Sequence, residues 1–300
     1  MEITRPGPPE EAQIPGRARR RSGRRLLLLI LRNPLGLTGL LLVLTLVFVG
    51  SLSPFIAPFG ANESAGIPFQ DPSWAHPFGT DGLGRDIMSR VILGARISLA
   101  VGFLSVIGGT LMGTAIGMVS GYFGGWIDSL IQRAVDTAMA FPGLILLLII
   151  ISVMGPSMKN VIIVIGVGIV PGVSRVIRGA VLSEKQSQYV EAAQVVGASS
   201  ARVLFRHLAP NVAPLAIVIA TTLLAGAILA EAGLSFLGLG VPPPNPSWGA
   251  DVSLARNALP IHIWWAFFPG LAIALTVLGF NFLGDALRDI LDPRLRGTTR

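Results

Sequence analysis

Six apolar runs, each close to the length that crosses a lipid bilayer, constrain this chain more than any other feature. They fall at about 35–56, 96–120, 136–155, 160–178, 211–232 and 264–285. A spanning helix needs about 20 such residues, because inside lipid every backbone polar group must find its partner within the segment. The pattern predicts an all-α polytopic membrane protein with six transmembrane helices. Composition points the same way. Of 300 residues, 52% are hydrophobic and 13% charged, about half the ~25% charge of a soluble domain. That balance argues against a soluble α/β enzyme. The chain has no cysteine, so disulfides and thiolate metal sites are unavailable to it.

The net charge of +7 matters through its placement. The stretch "RRRSGRRLLLLILRNPLG" has the look of a cleavable signal, and Arg24-Arg25 echoes a twin-arginine leader. Arg32, Asn33 and Pro34 interrupt the apolar run, however, and no convincing cleavage site follows, so an uncleaved first helix is expected. With the N-terminus inside, Arg85, Arg90, Arg96, Lys159 and Arg256 fall outside and the other 18 of the 23 Lys and Arg residues fall inside. That split obeys the positive-inside rule and predicts that both termini are cytoplasmic. The expected organisation is a basic cytoplasmic tail at 1–33, a first helix and external loop at 34–95, a membrane core at 96–286 and a cytoplasmic tail at 287–300.

Within this frame, Gly109, Gly113, Gly117 and Gly121 stand four apart on the second span. Glycines at that spacing line one helix face and admit a close neighbour, within the chain or in a second subunit. Just before them, Ile87, Met88, Val91, Ile92 and Ala95 share a face opposite Asp86, Ser89 and Arg90, the pattern of an amphipathic helix lying on the outer interface. Asp81 and Asp86 read as solvated surface carboxylates rather than an ion site. Pro171 in the fourth run suggests a kink. The Gly- and Pro-rich segment from Leu234 to Trp265 is too long for a simple turn and suits gating or external docking.

The stretch "YVEAAQVVGASSARVLFRHLAP" is polar and helix-favouring, yet it lies between two spans. Ala192, Ala193, Val195 and Val196 give one short helix a small apolar surface. Gly197 supplies a stop, since glycine takes left-handed angles at little cost. A second short helix with Leu204, Phe205, Arg202 and Arg206 follows, and Pro210 and Pro214 suit the first turns of the next span. The expectation is a compact knob on the cytoplasmic face, shaped to enter a partner's groove.

Glu191-Ala192-Ala193, then Gly197, then Pro210 resembles the EAA loop of ATP-binding-cassette importer permeases, here spanning about 189–211. Two positions depart from that pattern: His207 replaces the usual isoleucine, and Ala209 the leucine before the proline. The stretches "HPFGTDGLGRDIMSRVILGARISL", "GYFGGWIDSLIQRAVD", "EAGLSFLGLGVPPPNPSWG" and "WWAFFPGLAIALTVLGFNFLGDALRDILDPR" are similar to the C-type subunit of the dipeptide/oligopeptide/nickel branch. The resemblance implies a type I importer permease fold in a bacterial or archaeal inner membrane. It also implies that Glu191, Ala192, Ala193, Gly197, Arg202, Leu204, Phe205 and Pro210 form an ATPase-coupling loop. The partners it implies are a B-type permease, two ATPases carrying ATP and Mg, and an extracytoplasmic binding protein. The implied cargo is short peptides, with nickel chelates, glutathione, opines or short glycosides as alternatives.

Catalytic chemistry is not legible. No G-x-x-x-x-G-K-[ST] loop is present, since neither Lys159 nor Lys185 follows a glycine. This chain is therefore expected to bind no cofactor and hydrolyse no ATP itself. His76, His207 and His262 sit in no metal-ligand spacing. Glu231 and Asn281, both inside apolar runs, are candidates for the substrate pathway, because polar groups in lipid are costly. Glu231 also suits a structural role, capping the next loop or pairing with an arginine. An ion-coupled secondary transporter would show more ionisable residues deep in its spans; a membrane scaffold would need no access path.

Overall fold

The computed structural model describes residues 23–259 and 261–291. The regular structure of the described chain is helical apart from two isolated bridges. In order, the helices are α1 (Gly23–Arg32), α2 (Pro34–Ile56), α3 (Ile87–Phe123), α4 (Gly125–Met139), α5 (Gly143–Met154), α6 (Met158–Glu184), α7 (Gln188–Val195), α8 (Ser200–Arg202), α9 (Ala209–Phe236), α10 (Trp248–Ala255) and α11 (Ile263–Leu291). A π-helical turn, Val203–Leu208, joins α8 to α9 without a break. Most of the basic tail expected at 1–33, and the end of the tail at 287–300, lie outside the described residues.

Polar side chains start several of the helices. Asn33 accepts from the amides of Leu35 and Gly36, with Pro34 at the first helical position of α2. Asp86 caps α3, Ser157 caps α6 and Ser247 caps α10. Each satisfies an amide that the first turn leaves unpaired.

Among the described residues, five helices are long and apolar enough to cross a membrane: α2, α3, α6, the continuous Ser200–Phe236 and α11. The expected third span, 136–155, is not one helix. It divides into α4 and α5, bent by 94°. Pro142 explains the break, because it lacks an N–H and disfavours helical angles at Phe141. At 12 residues, α5 is about 18 Å long, too short to cross alone; counted as one broken span, α4 and α5 make the sixth.

Two further expectations change. The stretch from Ile87 is not a separate interfacial helix but the first turns of the 37-residue α3, about 55 Å long. The second short helix of the knob runs on into α9. Pro171, for its part, sits inside a helix that continues from Met158 to Glu184.

The four glycines of α3 face α6. A Cβ at Gly109 would lie 2.5 Å from the Gly166 carbonyl, at Gly113 2.8 Å from Val173 Cβ, at Gly117 2.5 Å from the Ser174 carbonyl and at Gly121 3.0 Å from the Arg178 carbonyl. Only glycine permits that approach, so the stripe packs within this chain. A core of Leu99, Val106, Ile151, Val164, Ile228 and Phe280 joins α3 to α5, α6, α9 and α11.

The end of the bundle where α3 begins, called here the far end, is knitted by charges. Asp81 and Asp86 are buried, not solvated. Asp81 accepts from the Leu83 and Arg85 amides at 2.8 and 3.0 Å and from Arg85 Nε at 2.6 Å. Asp86 accepts from the Ser89 amide and hydroxyl, both at 2.7 Å, with His76 Nδ1 at 3.0 Å. Arg90 crosses to Asp251 of α10 (Nε at 2.9 Å) and donates to the Ala61 carbonyl at 2.7 Å. Burial pushes the Asp251 carboxyl up, against the opposing pull of Arg90. These contacts fold the 57–86 segment back over the end of α3.

Candidate functional site

At the opposite end, α7 stands as a knob between α6 and α8. Its stop at Gly197 has a clear geometry. Gly197 has φ +83°, its amide donates to the Gln194 carbonyl at 2.9 Å, and the Ala198 amide donates to the Ala193 carbonyl at 3.0 Å. These paired bonds make a Schellman stop, which favours glycine at the left-handed position. Ser199 then caps the next helix by accepting from the Arg202 amide.

The π turn solves a local problem. Pro210 offers no N–H to the carbonyl four residues back. One step earlier, the Ala209 amide reaches back five residues to the Leu204 carbonyl. The helix continues across the proline through this wider turn.

The knob has two faces. Val190, Val203, Leu204 and Leu208 are buried against Met118, Tyr122, Ile177 and Val181. Val195, Val196 and Phe205 point away, at 81%, 88% and 74% exposed. Glu191, Ala192, Arg202, Arg206 and Pro210 are also exposed, and Ala193 is half-buried. Leu204 and Phe205, neighbours in sequence, thus serve opposite faces. Exposed apolar patches rimmed by polar groups mark surfaces that meet a partner or a membrane.

Sequence reading missed the struts that hold this knob. Tyr189 donates to Glu184 at 2.7 Å, and Asn211 Nδ2 donates to the Tyr189 hydroxyl at 2.9 Å and the His207 carbonyl at 2.7 Å. Burial, with the Glu184 bond, raises the Tyr189 phenol above its ordinary pKa, so it remains a donor. Lys185 Nζ donates to the Tyr122 carbonyl at 2.6 Å. Arg178 pairs with Asp128 through Nε at 2.6 Å, and Arg175 pairs with Asp136. The only signal in the sequence was the excess of basic residues near this end.

The two pathway candidates are not brought together. Asn281 is exposed on α11. Glu231 is fully buried, and its hydrogen bonds come from serines, not an arginine. Two open apolar clefts flank α4–α6, of about 570 and 670 Å³. Neither residue lines either cleft.

Comparison with known proteins accounts for this arrangement. Residues 113–297 match the family described as "Binding-protein-dependent transport system inner membrane component". The chain is 40% identical over 266 residues to the dipeptide transport system permease protein DppC of Alkalihalophilus pseudofirmus, covering 88% of each chain. It is 41% identical over 268 residues to the glutathione transport system permease protein GsiD of Pectobacterium atrosepticum, covering 89% of each. Its fold is similar to that of a chain from the MetNI methionine ABC transporter in an inward-facing conformation (TM-score 0.56, 20% identity), covering 69% of this chain and 98% of that one. By its family match and its relatives, this chain is a member of the binding-protein-dependent transport system inner membrane components, the multi-pass permease subunits of ABC importers.

Proposed function

We propose that this permease forms half of the translocation pathway for short peptides and that its knob receives the push of an ATPase. The observation that carries the coupling role is the exposed patch of Val195, Val196 and Phe205 on a rigidly strutted α7. Two ATPases would supply ATP and Mg chemistry, a B-type permease the other half of the pathway, and an extracytoplasmic binding protein the cargo. The knob end faces the cytoplasm in this reading, since Arg32, Arg133, Arg175, Arg178, Lys185, Arg202, Arg206 and Arg288 lie toward it and outnumber Arg85, Arg90, Arg96, Lys159 and Arg256 toward the far end. Nucleotide-driven closure of the ATPases would carry the knob and tilt the spans as rigid bodies between inward and outward access.

Peptide cargo is supported by the dipeptide relative, and the glutathione relatives favour a second reading, a modified tripeptide. The test is ATP-dependent uptake by the reconstituted transporter with its binding protein. Labelled dipeptides should accumulate and unlabelled glutathione should compete poorly. Uptake of glutathione with indifference to dipeptides selects the second reading, and no ATP-dependent uptake of either removes both.

A further inference from the structure

Glu231 is a carboxyl group sealed in the protein near the far end of α9, with no cation among its hydrogen-bond partners. Ser98 of α3 donates to its Oε2 at 3.1 Å and Ser235 of α9 to its Oε1 at 2.8 Å. The chain of hydroxyls continues to Ser247, 3.5 Å from Ser235, and the Trp248 amide donates to Ser98 at 3.3 Å. Arg90, also at this end, is committed to Asp251 and the Ala61 carbonyl. Asp251 itself has one oxygen without a partner.

The lid over this group is α10. Trp248 Nε1 donates to the Val91 carbonyl at 2.9 Å. A Cβ on Gly249 would lie 2.5 Å from Ala232 Cα, and one on Gly94 3.3 Å from Trp248 Cδ1. The eight-residue helix is thus wedged against α3 and α9, and water is excluded from Glu231 while it stays there. Separating α3, α9 and α10 at this end would hydrate the carboxyl.

Hydration is where the energetics turn. An apolar contact broken open to water is penalised. A buried carboxyl satisfied only by hydroxyls is penalised while closed and regains its hydration when opened. We propose that Glu231 is a positioning residue for gating, whose withheld hydration opposes closure of the far end and eases its opening. The proposal rests on the permease reading above and on the far end facing outward.

The test uses the assembled transporter carrying Ala255→Cys. Ala255 is a buried α10 position, and the chain has no other cysteine. Glu231→Gln, and Glu231→Met as the apolar counterpart, should raise the melting temperature by a few degrees. Both should also slow labelling of the cysteine by an impermeant thiol reagent several-fold and reduce uptake. Ser235→Ala strips a donor from the carboxyl and should act in the opposite sense, with a lower melting temperature and faster labelling. A melting temperature that falls in both Glu231 variants overturns the proposal, because the carboxyl then stabilises the closed end. Unchanged labelling in variants that melt higher overturns it as well. Melting and labelling do not depend on cargo, so they separate this outcome from a failure of the peptide reading.

Discussion

The Lys185 ammonium donates to the main-chain carbonyl of Tyr122 at 2.6 Å and lies 5.4 Å from the centre of the Tyr122 ring. One side chain from the root of the knob therefore closes the last turn of α3, where unpaired carbonyls favour a cation. Lys185→Met keeps the aliphatic stem and loses the bond, at a cost of about 1 kcal/mol. The complex should still assemble, but the ratio of peptide moved to ATP hydrolysed should fall. Measuring both rates in one proteoliposome preparation decides it; an unchanged ratio means that this strut transmits nothing.

Gly197→Val places a β-branched residue at φ +83°, which costs about 1–2 kcal/mol. Nothing lies within 4 Å of a Cβ built there, so the penalty is backbone strain and not collision. Gly197→Asn should lose much less, since asparagine tolerates that conformation. ATPase recovery on affinity purification should rank glycine, asparagine, valine. Equal recovery for all three would separate the turn from docking.

Phe205→Asp puts a charge in the exposed patch without touching the buried face, where Leu204 lies. Insertion and melting should stay near the parent, while co-purification of the ATPases drops by at least about tenfold, as loss of a central aromatic anchor does. Glu191→Lys, which reverses a charge at the start of α7, should weaken recovery in the same way. Wild-type transport by both variants would exclude the knob as the coupling element.

Gly113 and Gly108 make a matched pair on α3. A Cβ at Gly113 lies 2.8 Å from Val173 Cβ, whereas nothing lies within 4 Å of one at Gly108. Gly113→Ala should destabilise by about 1–3 kcal/mol through overpacking. Gly108→Ala should be neutral or gain about 0.5–1 kcal/mol from lower chain entropy. Thermal melts of the two variants in detergent test the sign.

Orientation is read by single cysteines on the cysteine-free chain. Asn257 and Lys159 are exposed toward the far end and Ser199 is exposed on the knob, while Ser247 is buried and would report nothing. An impermeant reagent added to intact cells should label Asn257→Cys and Lys159→Cys and spare Ser199→Cys. The reverse pattern would invert the chain.

Helical class, the number of apolar runs and the stop at Gly197 are legible from one-dimensional pattern, because hydropathy and glycine's backbone freedom are local properties. The break at Phe141–Pro142 carries a local signal too, but continuous hydropathy across it hides the bend. What pattern cannot show is which distant group a charge will meet. Asp81 and Asp86 look solvated because their neighbours in sequence are polar. They are buried because Arg85, His76 and the folded-back 57–86 segment enclose them. Arg90 and Asp251 are 161 positions apart, and nothing near either one announces the pairing. The same holds for the serines around Glu231, whose role depends on α3 and α10 arriving together.

The π turn has a mechanical consequence. Had the chain broken at Pro210, α8 would hinge freely against α9 and displacement at the knob would dissipate in the joint. Because the helix is carried through, Ser200–Phe236 is one beam of 37 residues, about 55 Å long. A tilt of about ten degrees about its near tip sweeps the other tip through about 10 Å. Glu231 lies five residues from that distant tip, so the lever arm itself can amplify a small stroke at the knob into a movement wide enough to admit water.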